Sequence, residues 1–323
     1  MERSRDIEFE GRLDPELAAA LPQVPMLDLR DIPGARRERA ELAARNKGGW
    51  TLPTTVAVAD QTVAVSGAEA HELRLRTYRP ASGTSATTGL VWIHGGGHVM
   101  NEPESDDPLI CRLVEATGCA AVSVDWRHAP EHPYPAAIDD CYAGLLWTAE
   151  HAATLGMHPN RLVVGGASSG GGLAAGLALL ARDAGEVALH GQFLLYPMLD
   201  DRSITYSSRA ITHPRVWNAE SNRLAWIAYL GADAGGVVAT YAAPARATDL
   251  RGLPTTWIAT AELDLFVDEN IDYAHRLMQA GVPTELHVYP AAMHGFDVFA
   301  PTAAVSRRLK DDLVAAFGRM TGP

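Results

Sequence analysis

A hydroxyl nucleophile, a base to take its proton, a carboxylate to orient that base and donors for a developing oxyanion are the parts of an acyl-transfer site. This chain carries residues of each type. "GGASSGGG" (165–172) sets two adjacent serines among glycines, between the apolar run "RLVV" and the helix-like "LAAGLALLARD". The sharp strand-to-helix turn that exposes a nucleophile is strained, and bulky residues two positions to either side would clash. Around Ser168 those positions are Gly166 and Gly170, whereas around Ser169 they are Ala167 and Gly171, a looser match. Ser168 is therefore the predicted nucleophile, and Ser169, at the helix N-terminus, offers a free backbone N–H to an oxyanion. The bland alternative is a glycine-rich turn that binds phosphate or nothing. Against it, "GGGLAA" fits G-x-G-x-x-A only inside the predicted helix, and the phosphate-loop lysine is missing.

The partners lie far along the chain. His294 in "YPAAMHGF" follows the predicted strand "ELHVYP", at the sheet edge where active-site loops gather. "TTWIATAELDLFVDEN" puts Asp264 just beyond another strand. Asp268, Glu269 and Glu262 are alternative carboxylates, and Asp264 by itself could merely cap the helix beginning near Val267. The order Ser…Asp…His is that of α/β-hydrolases, not of chymotrypsin-like or subtilisin-like enzymes. In "VWIHGGGHVM", Gly95, Gly96 and Gly97 follow an early strand and let backbone N–H groups approach a substrate closely. His94 reads as a hydrogen-bond partner that orders this loop.

The elements that must hold these residues come from the hydrophobic pattern. "GLVWIH", "AAVSVDW", "RLVVGG", "FLLYP", "TTWIAT" and "ELHVYP" read as strands, several apolar on both faces. Helical patterns separate them, so a mainly parallel sheet flanked by helices is expected. "TVAVSG" and "HELRLRTYRP" alternate polar and apolar residues and are predicted as antiparallel edge strands. Residues 1–50 and 201–245 are strandless and are expected to pack together as a helical cap over a core of residues 51–200 and 246–323.

Composition narrows the partners. The 323 residues suit one large α/β domain. Acidic residues outnumber basic ones 39 to 27 without a basic cluster, which argues against nucleic acid or an anionic membrane. The N-terminus is charged and lacks an apolar signal core, and no run approaches the ~18 apolar residues of a membrane span. A cytoplasmic protein without membrane insertion is expected. Cys111, Cys119 and Cys141 lack metal-like spacing and read as buried free thiols. The twelve histidines are scattered without a zinc motif, so neither metal nor cofactor is expected.

With these residues in place, the chain resembles the hormone-sensitive-lipase family of α/β-hydrolase esterases. "HGGG", "VSVDWRHAPEHPYPAAIDDCYAGLLW", "GGASSGGGLAA", "LLYPMLD", "ELDLFVDE" and "YPAAMHGF" carry the likeness. It implies the α/β-hydrolase fold with a helical cap, and a serine carboxylesterase acting through an acyl-enzyme on a small-molecule ester. Ser168 would be nucleophile, His294 general base then acid, and Asp264 the orienting carboxylate. The oxyanion donors would be the N–H groups of Gly96, Gly97 and Ser169, with Gly95 a further candidate. Asp125, Arg127 and Glu131 would fix the loop near the site. The cap would shape the acyl and alcohol pockets, with His98 and Trp217 as candidate lining residues. A cap without a long apolar surface run points to short-to-medium acyl esters. Three positions depart from the family pattern: Ala167 replaces an acidic residue or threonine, His98 an aromatic residue, and Leu265 a proline. An amidase, a carbamate or lactone hydrolase, or an acyltransferase would use the same triad. A non-catalytic receptor on this fold would have lost the histidine that "MHGF" keeps.

Overall fold

Apolar and alternating runs of six to eleven residues give eight strands in one sheet. The computed structural model describes residues 8–46, 50–66, 69–83 and 87–321. Residues 1–7 and 47–49 of the expected cap lie outside the described residues, as do 67–68, 84–86 and 322–323 of the expected core. The strands are β1 (Val56–Val65), β2 (His71–Pro80), β3 (Thr87–Ile93), β4 (Ala120–Asp125), β5 (Met157–Ala167), β6 (Leu189–Leu195), β7 (Thr255–Leu263) and β8 (Thr284–Met293). Their order across the sheet is β1-β2-β4-β3-β5-β6-β7-β8. The β1–β2 and β2–β4 pairs are antiparallel, and every pair from β4 to β8 is parallel.

β2 corrects one expectation: it is not an edge. β4 pairs with it from Arg74↔Asp125 to Tyr78↔Ala121, leaving β1 alone on that side. Two of its arginines are spent on carboxylates of the protein. Arg76 Nε lies 3.0 Å from Asp107 Oδ1, and Arg74 reaches Glu104 at 2.6 Å and Asp125 at 2.8 Å. Alternation reports which face a residue occupies, not whether that face is wet.

The described helices are α1 (Pro15–Ala20), α2 (Ile32–Asn46), α3 (Asp107–Thr117), α4 (Ala136–Glu150), α5 (Ser169–Ala184), α6 (Ala219–Leu230), α7 (Val267–Gln279) and α8 (Ala304–Thr321), with shorter turns between. Successive strand side chains point to opposite faces, so each sheet face has its own core. Val91, Ile93, Val122, Val124 and Val164 pack under α4, α5 and α7. Leu90, Trp92, Ala121, Phe193 and Trp257 pack under α3 and α8. The last helix, α8, is the element that the sequence reading did not single out. Among the described residues no helix is long and apolar enough to cross a membrane.

This topology does the positioning. β3 ends at Ile93, β5 at Ala167, β7 at Leu263 and β8 at Met293. The next residues are His94 of the HGGG run, Ser168, Asp264 and His294. Four parallel strands therefore deliver all four candidate elements to one edge of the sheet, as expected of an open α/β fold.

Candidate active site

β5 runs into α5 with one residue between them, and that residue is Ser168, at φ 57° and ψ −121°. A non-glycine residue held there stores ~1–3 kcal/mol of backbone strain. Its surroundings fix it on both sides. Ser168 N–H donates to Leu195 C=O at 2.9 Å, and Ser168 C=O accepts from Gly172 N–H and Met198 N–H, each at 3.0 Å. A Cβ on Gly166 would lie 2.3 Å from Gly170 O, and one on Gly170 would lie 2.1 Å from Ile93 O. The glycines of G-x-S-x-G are thus steric requirements of this turn.

His294 Nε2 lies 2.9 Å from Ser168 Oγ, and His294 Nδ1 lies 2.6 Å from Asp264 Oδ2. Asp264 is fully buried, and its other oxygen accepts Phe266 N–H at 3.0 Å. An N–H at Nδ1 donates to the carboxylate and leaves Nε2 as acceptor toward the serine hydroxyl. The rings of Tyr196 and Phe266 stand edge-on to the imidazole at 4.8 Å and 5.1 Å. Tyr196 is itself fixed by its hydroxyl, which donates to Asp297 Oδ1 at 2.8 Å. Such an arrangement can move a proton from hydroxyl to imidazole without moving heavy atoms.

The alternative carboxylates are engaged elsewhere. Glu262 pairs with Arg12 at 3.1 Å and accepts Ala291 N–H at 2.8 Å. Asp268 accepts Ser207 N–H at 2.7 Å. Glu269 accepts Leu199 N–H at 2.7 Å, and burial pushes its pKa well above the usual carboxylate range.

The HGGG run packs against the serine turn: a Cβ on Gly95 would lie 2.7 Å from Ala167 O and 3.3 Å from Ser168 Cβ. Among the described residues, the N–H groups of Gly96, Gly97 and Ser169 donate to no acceptor of the chain. Ser169 is the first residue of α5, so its N–H also lies at the positive end of that helix. The Ser169 hydroxyl is buried without a partner.

The two candidate pocket residues differ in placement. Trp217 is half-buried and covers Gly97, where an added Cβ would meet Trp217 Cη2 at 2.1 Å. His98 is 1% exposed and stacks on Tyr229 at 3.8 Å, with Trp226 and Trp126 around it. His94 stacks on Trp126 at 4.8 Å and donates from Nδ1 to Gly95 C=O at 2.9 Å. Burial pushes the His94 pKa down to about 4 and that of His98 to about 3. The segment expected to fix the loop is bound to its surroundings: Asp125 to Arg74, Arg127 to Asp140 and Glu131 to Arg36. Of the departures, Ala167 and Leu265 are both buried, Leu265 C=O accepting the Ser207 hydroxyl at 2.8 Å.

Sequence reasoning passed over Arg36, Arg39, Asn101, Tyr196 and Phe266. Tyr196 follows the end of β6 just as Ser168 follows β5, and that placement was a usable signal. The arginines gave none, because they meet their partners across 60 or more positions of chain.

Residues 90–298 match a family model described as an alpha/beta hydrolase fold. The carboxylesterase NlhH of Mycobacterium tuberculosis is 35% identical over 298 residues, covering 90% of this chain and 92% of that protein. A bacterial heroin esterase superposes with a TM-score of 0.93 at 40% identity, over 97% of this chain and 99% of the other. The esterase LipW of Mycobacterium marinum superposes with a TM-score of 0.84 at 36% identity, over 97% and 98% of the two chains.

Proposed function

The chain belongs to the hormone-sensitive-lipase family of α/β-hydrolases and is a carboxylic ester hydrolase, and from that premise we propose that Ser168, His294 and Asp264 carry the reaction through an acyl-enzyme. Ser168 Oγ attacks the ester carbonyl carbon while His294 Nε2 takes its proton. The carbonyl oxygen becomes an oxyanion that accepts hydrogen bonds from Gly96, Gly97 and Ser169 N–H, with Gly95 beside them. Asp264 holds the imidazole in the required tautomer and stabilises the imidazolium. His294 then returns the proton to the departing alkoxide, and an alcohol leaves. Water, deprotonated by the same nitrogen, attacks the acyl-serine ester and releases the acid, restoring the Ser168 hydroxyl.

The observation that supports this reading most is the unbroken pair of hydrogen bonds, 2.9 Å from serine to histidine and 2.6 Å from histidine to aspartate. The described residues of the 1–50 segment and residues 201–245 form the cap in this reading, with Trp217 over the glycine loop bounding the pocket. Short-to-medium acyl esters are the proposed substrates. The relatives named carboxylesterase and esterase favour esters over amides.

The test is Ser168→Ala measured on p-nitrophenyl butyrate and its matched anilide. The variant should keep its thermal unfolding curve, give no burst of p-nitrophenol and lose at least ~10⁴-fold in kcat. Turnover at the wild-type rate would remove Ser168 from the mechanism. A wild-type preference for the anilide would replace ester by amide as the substrate class.

A further inference from the structure

The loop from Gly95 to Asn101 does not hold its own shape. Four of its residues have left-handed φ: Gly96 at 134°, Gly97 at 60°, His98 at 64° and Asn101 at 77°. Two of them carry side chains in a region that L-residues disfavour. Within the loop, Val99 N–H and Met100 N–H both donate to Gly96 C=O at 3.1 Å. Gly95 C=O also accepts from Asn101 Nδ2 at 3.1 Å and from the neighbouring His94 Nδ1 at 2.9 Å. Further restraint comes from outside the loop, and helix α2 supplies much of it.

Arg36 on α2 donates from Nε to Val99 C=O at 2.6 Å and from Nη2 to Ala129 C=O at 2.9 Å. The same guanidinium grips the Glu131 carboxylate with both Nη atoms, at 2.7 Å and 2.8 Å. The 129–131 turn holds the loop in return, Ala129 N–H donating to His98 C=O at 3.0 Å. One planar fork thus ties the loop, that turn and α2 together.

Arg39 lies three residues on, so it shares a face of the helix with Arg36. Its Nε donates to Asn101 Oδ1 at 3.0 Å, and Asn101 Nδ2 donates to Gly95 C=O at 3.1 Å. The Gly95 carbonyl and the Gly96 N–H belong to one planar trans peptide. Fixing the direction of the first fixes the direction of the second, which points the opposite way. Gly96 N–H is an oxyanion donor in the reading above.

We propose that Arg36 and Arg39 are positioning residues for ester hydrolysis: helix α2 aims the oxyanion donors, Arg39 through Asn101 and the Gly95 peptide, Arg36 through Val99 and the 129–131 turn. The proposal rests on the reading in which Ser168 attacks and the loop N–H groups receive the charge. Neither arginine acts on the ester itself. Donors aimed at the oxyanion act more strongly on the transition state than on the bound ester. Loss of aim should therefore lower kcat and leave KM nearly unchanged.

The experiment compares Arg39→Gln, Asn101→Ala and the double variant on p-nitrophenyl butyrate, with kcat expressed per active site titrated by the acylation burst. Each single variant should lose about 10- to 100-fold in kcat, with KM within about twofold. The double variant should be no worse than the worse single one, because both changes break one relay. Affinity for a trifluoromethyl ketone, which forms an oxyanion on serine, should fall in step with kcat/KM. Affinity for the corresponding alcohol, which forms none, should not. Arg36→Gln should act in the same sense. Arg36→Lys should recover little of the loss, since an ammonium cannot span Val99, Ala129 and Glu131 together. If Arg36→Gln fails to fold, the Arg39–Asn101 cycle decides alone.

The proposal is overturned if Arg39→Gln and Asn101→Ala keep kcat per titrated site within twofold of wild type, if their losses multiply independently, or if they change only the titrated fraction and the unfolding temperature. Failure of the underlying reading is a separate result: an acylation burst that survives in Ser168→Ala.

Discussion

At Gly170, a methyl group would have to enter space held by two backbone carbonyls, 2.1 Å from Ile93 O and 2.4 Å from His94 O. Neither carbonyl can move without shifting the end of β3 and the glycine loop with it. Gly170→Ala should therefore cost about 3 kcal/mol or more, beyond the usual range for one buried methyl group. Gly171→Ala should cost less, because its Cβ would meet nothing nearer than Pro197 Cβ at 3.0 Å and Gly166 O at 3.1 Å, contacts that a few tenths of an ångström relieve. Urea midpoints of the two variants check the order, and a Gly171→Ala midpoint below that of Gly170→Ala contradicts it. The same contrast made Ser168 rather than Ser169 legible from sequence, since the glycine spacing encodes a local steric demand. Asp264 tests a different property. Asp264→Asn fills the same space but offers an amide that can hold the imidazole in the wrong tautomer, so kcat should drop about 10⁴-fold with the fold intact. Steady-state kinetics and circular dichroism on one sample check both halves. The arginines behind the glycine loop were illegible for the converse reason. Arg36 and Glu131 are ordinary charged residues until a fold joins them across 95 positions.

The glycine loop as an element rests on a cluster of imidazoles and aromatic rings. His94, His98 and His128 pack with Trp126, Trp226 and Tyr229, and both ring nitrogens of His98 are buried without a partner. Burial lowers all three histidine pKa values, to about 4, about 3 and about 4 for His94, His98 and His128. An unfolded histidine titrates near 6.5. Below about pH 6.5 the unfolded chain therefore binds protons that the native cluster refuses, and each histidine subtracts stability as pH falls toward its native value. Asp106, whose pKa burial raises to about 6, works in the opposite sense. A net acid profile mixes the two, so a variant isolates the cluster. His98→Phe keeps a ring against Tyr229, sacrifices no hydrogen bond and removes one refused proton. Its stability relative to wild type should grow steadily as pH is lowered from 7 to 4, read from urea midpoints at each pH. A constant difference across that range would mean that His98 is not held neutral. The cluster illustrates what the pattern of a sequence leaves out. Strand ends and turn glycines carry local signals, so the sheet and the meeting of Ser168, His294 and Asp264 at one of its edges were readable. That β2 lies inside the sheet depends on which arginines find carboxylates. α8 lies past the last residue with candidate chemistry and was passed over.

At the scale of the whole molecule, the sheet and the N-terminal helix are held by different kinds of force. α5 is buried along nearly its whole length between the sheet and the segments around Met198 and Tyr241. α2 fully buries only Ala35 and Leu42 among its described side chains, packs the half-buried Ile32 against the core, and otherwise engages the core through Arg36 and Arg39, by their hydrogen bonds and by Arg39 over the Phe299 ring. Apolar burial scales with area, and a few hydrogen bonds to groups that water can also satisfy are worth far less. α2 should therefore release from the sheet at a lower free energy than global unfolding, as a separate opening unit. The three cysteines report on the other unit. Cys111 and Cys119 lie in the core on one face of the sheet and Cys141 in the core on the other. Burial raises the thiol pKa to about 11 at Cys111 and Cys119 and pushes it well up at Cys141, so the native thiols should not react with iodoacetamide. In a urea titration, esterase activity should fall before any of the three becomes labelled. Arg36→Gln should shift the activity curve to lower urea while leaving the labelling curve where it was. Coincident curves in the wild type would make α2 part of the global unit, and its hold on the glycine loop would then be as stable as the sheet itself.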